Sequence, residues 1–385
     1  MELFDVYPLY DVTPVKAKGC YVYDENDKKY LDLYGGHGVI SIGHGHETYV
    51  TALCEQIQKM GFYSNSVKNP LQEALALKLG KLSQCENYNL FLCNSGAEAN
   101  ENALKLASFE TGKRKVIAFD RAFHGRTSAA VSVTDNPKIN APLNQQHQVV
   151  FLPLNDIEKV DMALAGNDIA AVIIEGIQGV GGLDQGTSEF FKALEERCNQ
   201  HGVLLILDEI QSGYGRSGKF FSFQHHGIQP DIITMAKGMG NGFPIGGVLI
   251  SNEIKASYGL LGTTFGGNHL ACAAALAVLD VMEKEDLMKN VTKVNAHFMK
   301  RIQEIETVTL IKGRGLMLGV SFAYNVSEMR KKLIFEEQIF TGGSSDPNLL
   351  RILPPLCVTA EQIDNFIDAL KRVLEKIENK KEQLN

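Results

Sequence analysis

No stretch of the 385-residue sequence is long and apolar enough to span a bilayer, which excludes a helical membrane protein. The opening segment, Met1 to Asp11, lacks a basic stretch followed by an apolar one, so no secretory signal is expected and the cytoplasm is the expected compartment. The seven cysteines, at 20, 54, 85, 93, 198, 272 and 357, include no CxxC pair; an odd, scattered set suits reduced, mostly buried thiols better than a disulfide framework. Basic charge is in deficit. With 38 Lys and Arg against 45 Asp and Glu, the net charge of -7 argues against nucleic acid as the main partner, because phosphate-backbone binding needs a basic surface. The ten histidines, Gly43-His44-Gly45-His46 and His225-His226 included, form no ligand set at zinc-like spacing, and no metal is expected. Internal repeats and low-complexity linkers are also absent.

What remains is a globular composition, 44% hydrophobic and 22% charged, in a chain longer than one core usually supports. A large domain over 61–299 and a small domain assembled from 1–60 and 300–385 are expected, with a cleft between them. The alternation from Gly19 to Leu33 around Asp24-Glu25-Asn26-Asp27 predicts a hairpin, and 47–60 a helix. Short apolar runs then alternate with amphipathic segments. Strands are expected near 88–93, 115–119, 149–152, 170–174, 203–207 and 231–235, and helices near 97–110, 156–164 and 187–200. That alternation predicts an α/β fold with a mainly parallel, doubly wound sheet. Val203-Leu204-Leu205-Ile206-Leu207 is apolar at every position, as a central strand covered on both faces should be. Further on, helices are expected over 268–284 and 286–305, two short strands within 307–320, a helix near 327–339, a strand at 349–353 and a final helix over 359–378, with the charged residues from Lys376 to Asn385 fraying.

Asp208 and Glu209 follow the strand 203–207, where open α/β sheets present ligand-contacting groups; a helix cap or a metal ligand competes with catalysis for Asp208. Lys237 shifts that balance. It follows the apolar run Asp231 to Ala236 and precedes Gly238-Met239-Gly240-Asn241-Gly242-Phe243-Pro244, and a lysine at the end of a buried strand is costly unless its charge is paired or its amine is used. Cys93-Asn94-Ser95-Gly96-Ala97-Glu98-Ala99-Asn100 ends a strand and opens a helix, leaving free N–H groups for an anion such as phosphate, or serving only as an N-cap at Ser95. In Ala122-Phe123-His124-Gly125-Arg126-Thr127, Phe123 could cover a flat ring and Arg126 grip a carboxylate. Glu175-Gly176-Ile177-Gln178-Gly179-Val180-Gly181-Gly182 suits a cleft-lining segment on the substrate side. Thr263-Thr264-Phe265-Gly266-Gly267-Asn268 could touch phosphate or cap a helix, and Arg351 opens an apolar strand, where a surface salt bridge is the bland alternative.

Together, Asn94 to Asn100, Phe123 to Thr127, Asp208-Glu209-Ile210-Gln211, Ala236-Lys237-Gly238 and Thr263 to Asn268 resemble the class III aminotransferases in content, order and spacing, over about residues 5–375. Within that class the chain is most similar to the branch acting on acetylornithine, succinylornithine and ornithine. The resemblance implies fold type I, with a seven-stranded type of mostly parallel sheet, pyridoxal 5'-phosphate as cofactor, and a homodimer with shared active sites. It implies that Lys237 is the Schiff-base lysine and proton shuttle, and that Asp208 keeps the pyridine nitrogen protonated. Phe123 would stack on the ring, Ile210 pack behind it, Gln211 reach its phenolic oxygen, and Ser95, Gly96 and Ala97 bind the phosphate. Thr264 would bind the neighbouring subunit's phosphate, with Thr263 and Glu175 nearer the substrate. Arg126 would take the acylated substrate's carboxylate and Arg351 the α-carboxylate of glutamate or 2-oxoglutarate, in a ping-pong transamination of arginine biosynthesis. One departure stands out. Relatives usually carry, where this chain has Val180, a glutamate that pairs with the late arginine; Arg351 is expected to lack that partner and lie uncovered. The competing expectations are another class III reaction on ornithine or 4-aminobutyrate, a mutase or a decarboxylase, and a non-catalytic relative, against which the intact Lys237 and Asp208 argue.

Overall fold

The computed structural model describes residues 1–382. The chain opens with β1 (Pro14–Lys18), β2 (Tyr21–Asp24) and β3 (Lys29–Asp32), paired antiparallel in that order. The β2–β3 turn forms where expected because the Asp24 carboxylate accepts from the backbone N–H of Asn26 and Lys28, both at 2.9 Å, while Asp27 takes a left-handed φ of 57°. The helix Glu47–Lys59 follows, then a helix Pro70–Ser83 that the sequence reading had not placed, with Asn69 as N-cap and Pro70 in its first turn.

The central sheet contains β4 (Tyr88–Cys93), β5 (Lys115–Phe119), β6 (Val149–Leu152), β7 (Ile169–Glu175), β8 (Leu204–Asp208), β9 (Ile232–Met235) and β10 (Gly246–Ser251), in the order β4-β10-β9-β8-β7-β5-β6. The β5–β6, β5–β7, β7–β8 and β8–β9 pairs are parallel; β10 runs antiparallel to both β4 and β9. Every residue of β7 and β9 is buried, as their largely apolar runs required, and both flank β8 at the middle of the sheet. β10 was not anticipated. It begins with Gly246-Gly247, poor strand formers, yet a side chain at Gly246 would meet the Ser95 carbonyl at 2.6 Å, so glycine lets this strand pass the start of the helix Gly96–Thr111.

After the helices His269–Lys284 and Leu287–Ile302 come β11 (Val308–Arg314), β12 (Met317–Phe322), β13 (Ile339–Phe340) and β14 (Leu349–Ile352). β11, β12 and β14 form an antiparallel sheet, whereas β13 adds in parallel to β3 and ties the C-terminal part of the chain to its beginning. The helix Ser327–Phe335 stops short of the expected 339 because Gln338 turns at φ 53° and its carbonyl accepts from the Leu31 N–H, so strand pairing overrides helix continuation. The last helix runs from Ala360 to Glu382; the end of the stretch expected to fray, 383–385, lies outside the described residues. Among the described residues no helix is long and apolar enough to cross a membrane.

Candidate active site

Three parallel strands deliver their C-terminal ends to one place. The register pairs Glu175 of β7 with Asp208 of β8, and Asp208 with Thr234 of β9, three residues before Lys237. Neighbouring strands lie about 4.8 Å apart, so two carboxylates stand side by side in a buried setting. They differ in what surrounds them. Asp208 accepts from Asn100 Nδ2 at 2.8 Å, His124 Nδ1 at 2.7 Å and the Ile210 N–H at 3.0 Å. Among the described residues Glu175 accepts only from the N–H groups of Phe123 at 3.0 Å and Gly179 at 2.7 Å, and burial pushes its carboxyl up to about 7, with Asp208 adding to the rise and His124 opposing it.

Lys237 is half-buried just after the end of β9. Burial draws its ammonium below the ordinary lysine range and Arg351 adds to that, while Asp208 and Glu175 push back. Its backbone sits at φ 44°, a left-handed conformation that non-glycine residues adopt only when the surroundings impose it. Those surroundings come from the chain's beginning. The Ser41 hydroxyl donates to the Gly238 carbonyl at 2.8 Å, the Tyr49 hydroxyl to the Gly240 carbonyl at 2.7 Å, and Asn241 bridges the Ser41 and Ile42 N–H groups to the Gly43 carbonyl.

Around these groups lies a cavity of about 410 Å³, lined among others by Ser95, Gly96, Ala97, Phe123, Ile210 and Gln211. Ser95 caps the helix Gly96–Thr111 by accepting from the Glu98 N–H, so the helix presents its N-terminus to the cavity. The cradle is tight: a Cβ on Gly96 would meet Ile210 Cγ2 at 2.8 Å. An amine whose charge is disfavoured, a hydrogen-bonded carboxylate, an aromatic side chain and a helix N-terminus around one cavity fit a flat, phosphate-bearing pyridine cofactor.

The model of the family described as aminotransferase class-III matches residues 6–374. The chain belongs to the class III aminotransferases. It is 40% identical to the acetylornithine aminotransferase of Bacillus subtilis (strain 168) over 381 residues, 97% of each chain. It is 36% identical to the [LysW]-aminoadipate semialdehyde/glutamate semialdehyde transaminase of Sulfolobus acidocaldarius, over 99% of each. Among solved structures, the ornithine aminotransferase of Toxoplasma gondii ME49 superposes with a TM-score of 0.90 at 28% identity, covering 97% of this chain and 92% of that one. This aminotransferase is therefore a pyridoxal-phosphate enzyme of fold type I.

The remaining sequence-derived candidates fall in different places. Val180 lines the cavity, and so does Arg126, an exposed residue. Thr263 and Thr264 lie outside it; Thr263 accepts from Asn94 Nδ2 at 3.2 Å, and Thr264 is exposed. Arg351 corrects two expectations, being neither a surface ion-pair residue nor uncovered. Only 3% exposed, it donates to the carbonyls of Gly343 and Gly179, and the Tyr34 ring lies 5.9 Å from its Cζ. Glu209, paired with Asp208 in the sequence, is a structural carboxylate filled by Ser212, Ser222 and Phe223. The sequence reading missed the groups that hold Asp208. Asn100 Nδ2 donates both to Asp208 and to the His124 carbonyl, while its Oδ1 accepts from Thr234 Oγ1 at 2.7 Å. A fully buried asparagine inside an alanine-rich helix was the available signal.

Proposed function

We propose that this aminotransferase moves the side-chain amino group of an N2-acylated ornithine, acetylated or succinylated, to 2-oxoglutarate, giving the semialdehyde and glutamate, in arginine biosynthesis. The observation that carries the reading is one cavity bearing Lys237, Asp208 and Glu175, with Arg126 beside it and Arg351 just behind its wall at Gly179. The acetylornithine aminotransferase name of a relative 40% identical along the chain points the same way.

When bound, pyridoxal phosphate supplies a conjugated ring that takes up the electron pair left on the substrate carbon. The protein's part follows from its residues. Lys237 would hold the cofactor covalently, and its amine, whose charged form burial disfavours, would carry the proton to and from the substrate carbon. Asp208, fixed by Asn100 and His124, would keep the ring nitrogen protonated. Phe123 and Ile210 would cover the two ring faces, Gln211 would reach the phenolic oxygen, and Ser95, Gly96 and Ala97 would receive the phosphate. Arg126 would take the acylated donor's carboxylate and Arg351 the α-carboxylate of glutamate.

The exposed Thr264 would complete the phosphate site of a second subunit, with Thr263 near that subunit's substrate, so the enzyme would act as a homodimer. Residues 1–60 and 300–385 would form a small domain against 61–299. The test is a panel of N-acetylornithine, N-succinylornithine, ornithine and 4-aminobutyrate, each with 2-oxoglutarate and scored by glutamate formed. An acylated ornithine should lead; ornithine or 4-aminobutyrate ahead of both would refute the donor assignment. An active monomer in sedimentation would refute the shared site.

A further inference from the structure

We infer that Cys357 and Cys20 form a reversible redox pair: a low-molecular-weight disulfide modifies the half-buried Cys357 thiol, and Cys20 resolves the adduct into a Cys20–Cys357 disulfide that fastens the two ends of the chain together beside the Lys237 turn. The two sulfurs stand 3.6 Å apart, although 337 positions separate the residues in the sequence. A disulfide needs about 2.0 Å, so roughly 1.5 Å of approach, shared between two side chains, closes the bond.

Both backbones are already held. Cys20 follows Gly19, whose N–H and carbonyl exchange hydrogen bonds with His44 at 2.8 Å, and its own carbonyl accepts from the Asp32 N–H at 2.8 Å. Cys357 lies between β14 and the last helix, where Asn290 Nδ2 donates to the carbonyls on either side of it, Leu356 at 2.7 Å and Val358 at 3.0 Å. Gly43 sits against both segments. A Cβ there would meet Cys357 Sγ at 2.8 Å and Gly19 Cα at 3.3 Å, so the glycine is what lets the two thiols touch.

The pair is asymmetric. Cys20 is 3% exposed and Cys357 is half-buried, so a reagent from solvent reaches Cys357 first. The contact with Cys20 holds the Cys357 thiol below the ordinary cysteine range, while the same contact and burial push Cys20 up, which makes Cys357 the nucleophile and leaves the proton on Cys20. Cys357 attacks one sulfur of the small disulfide and expels one thiolate; Cys20 then gives up its proton, attacks the Cys357 sulfur and expels the second. Two protein thiols are oxidised and the small disulfide is reduced to two thiols. Cys54 is exposed and Cys85, Cys93, Cys198 and Cys272 are buried, so Cys54 is the competing site for the reagent.

The bond reaches the active site. The Leu356 N–H donates to the Ser41 carbonyl at 2.7 Å, and the Ser41 hydroxyl holds Gly238 beside Lys237. Tying Cys357 to Cys20 around Gly43 therefore fixes the segment 41–43 that keeps the Lys237 turn in place, and slows the opening through which cofactor leaves.

The experiment treats the folded holoenzyme with oxidised glutathione, alkylates the remaining thiols and maps linked peptides in wild type, Cys20→Ser, Cys357→Ser and Cys54→Ser, then follows cofactor release by absorbance. Wild type and Cys54→Ser should give a Cys20–Cys357 linked peptide that dithiothreitol removes. Cys20→Ser should stop at a glutathione adduct on Cys357, and Cys357→Ser should leave Cys20 free. Oxidised wild type should melt several degrees higher than the reduced enzyme and lose cofactor at least about twofold more slowly, as closing so long a loop implies, with no such change in Cys20→Ser or Cys357→Ser. No linked peptide in the folded wild type, or one that forms only after unfolding in urea, overturns the pair; this map needs no variant, so it decides even where a variant fails to fold. A linked enzyme that melts and loses cofactor like the reduced one overturns the hold on the Lys237 turn.

Discussion

Replacing Asp208 by asparagine removes one charge and leaves the volume nearly unchanged, which makes it the sharpest probe of the site. Asp208 is acceptor-only and uses both oxygens: Oδ1 takes the Ile210 N–H, and Oδ2 takes Asn100 Nδ2 and is bonded to His124 Nδ1. An asparagine has one acceptor oxygen. Placed toward Asn100 and His124, it turns its NH2 on the Ile210 N–H; flipped, it turns that NH2 on Asn100 Nδ2. Either way a buried donor loses its partner, at about 1–3 kcal/mol of stability. Loss of the anion opposite a protonated ring nitrogen removes a charge-assisted hydrogen bond worth about 1.5–3 kcal/mol. At about 1.4 kcal/mol per tenfold, that sets a floor of roughly tenfold to a hundredfold on kcat. Cofactor retention should fall less, because the helix N-terminus at Ser95 to Ala97 is untouched. Glutamate formation gives kcat, absorbance titration gives cofactor affinity, and thermal melting gives stability. An Asp208→Asn enzyme with near wild-type turnover would remove Asp208 from the mechanism and refute this account.

Borohydride reduction of the holoenzyme followed by peptide mapping should find the cofactor on Lys237, and a label on any other lysine contradicts the assignment. Glu175 gives a pH test. Its carboxyl sits near 7 in the fold against an ordinary 4.5, so between those values the folded state holds a proton that the unfolded chain releases, and stability falls as pH rises through that window. In the cofactor-free enzyme, Glu175→Gln should flatten that fall; parallel urea-unfolding profiles for variant and wild type from pH 5 to 7.5 would disprove it. Val180→Glu should place a carboxylate beside Gly179, whose carbonyl already holds Arg351, and lower the ratio of succinyl to acetyl donor by about tenfold to a hundredfold, as an ion pair of about 1–3 kcal/mol implies. An unchanged ratio of kcat/KM values would show that Val180 only fills space.

The parallel strands were legible because β7, β8 and β9 are apolar almost throughout, and the chemistry was legible because Glu175, Asp208 and Lys237 interrupt or follow those runs where a charge is expensive. β10 was not, since its opening glycines serve a close approach to Ser95 that only the assembled fold creates. The bond from Asn100 to Asp208 spans 108 residues, and no local pattern encodes it. Arg351 was misjudged for a related reason. Its burial depends on Gly342 and Gly343 admitting Tyr34 and Arg330 from distant segments, so the residue alone reads like any exposed guanidinium.

The contacts from Ser41, Ile42, Gly43 and Tyr49 to residues 238–241 also order events in time. During synthesis the first fifty residues leave the ribosome long before their partners near Asn241 exist, so they wait without the contacts that give them a shape. The left-handed turn at Lys237 has nothing to hold it until they dock. A ribosome-bound chain halted just after Met235 has not yet made Lys237 or its neighbours to Asn241, so the capacity to retain cofactor should arise late as the nascent chain lengthens.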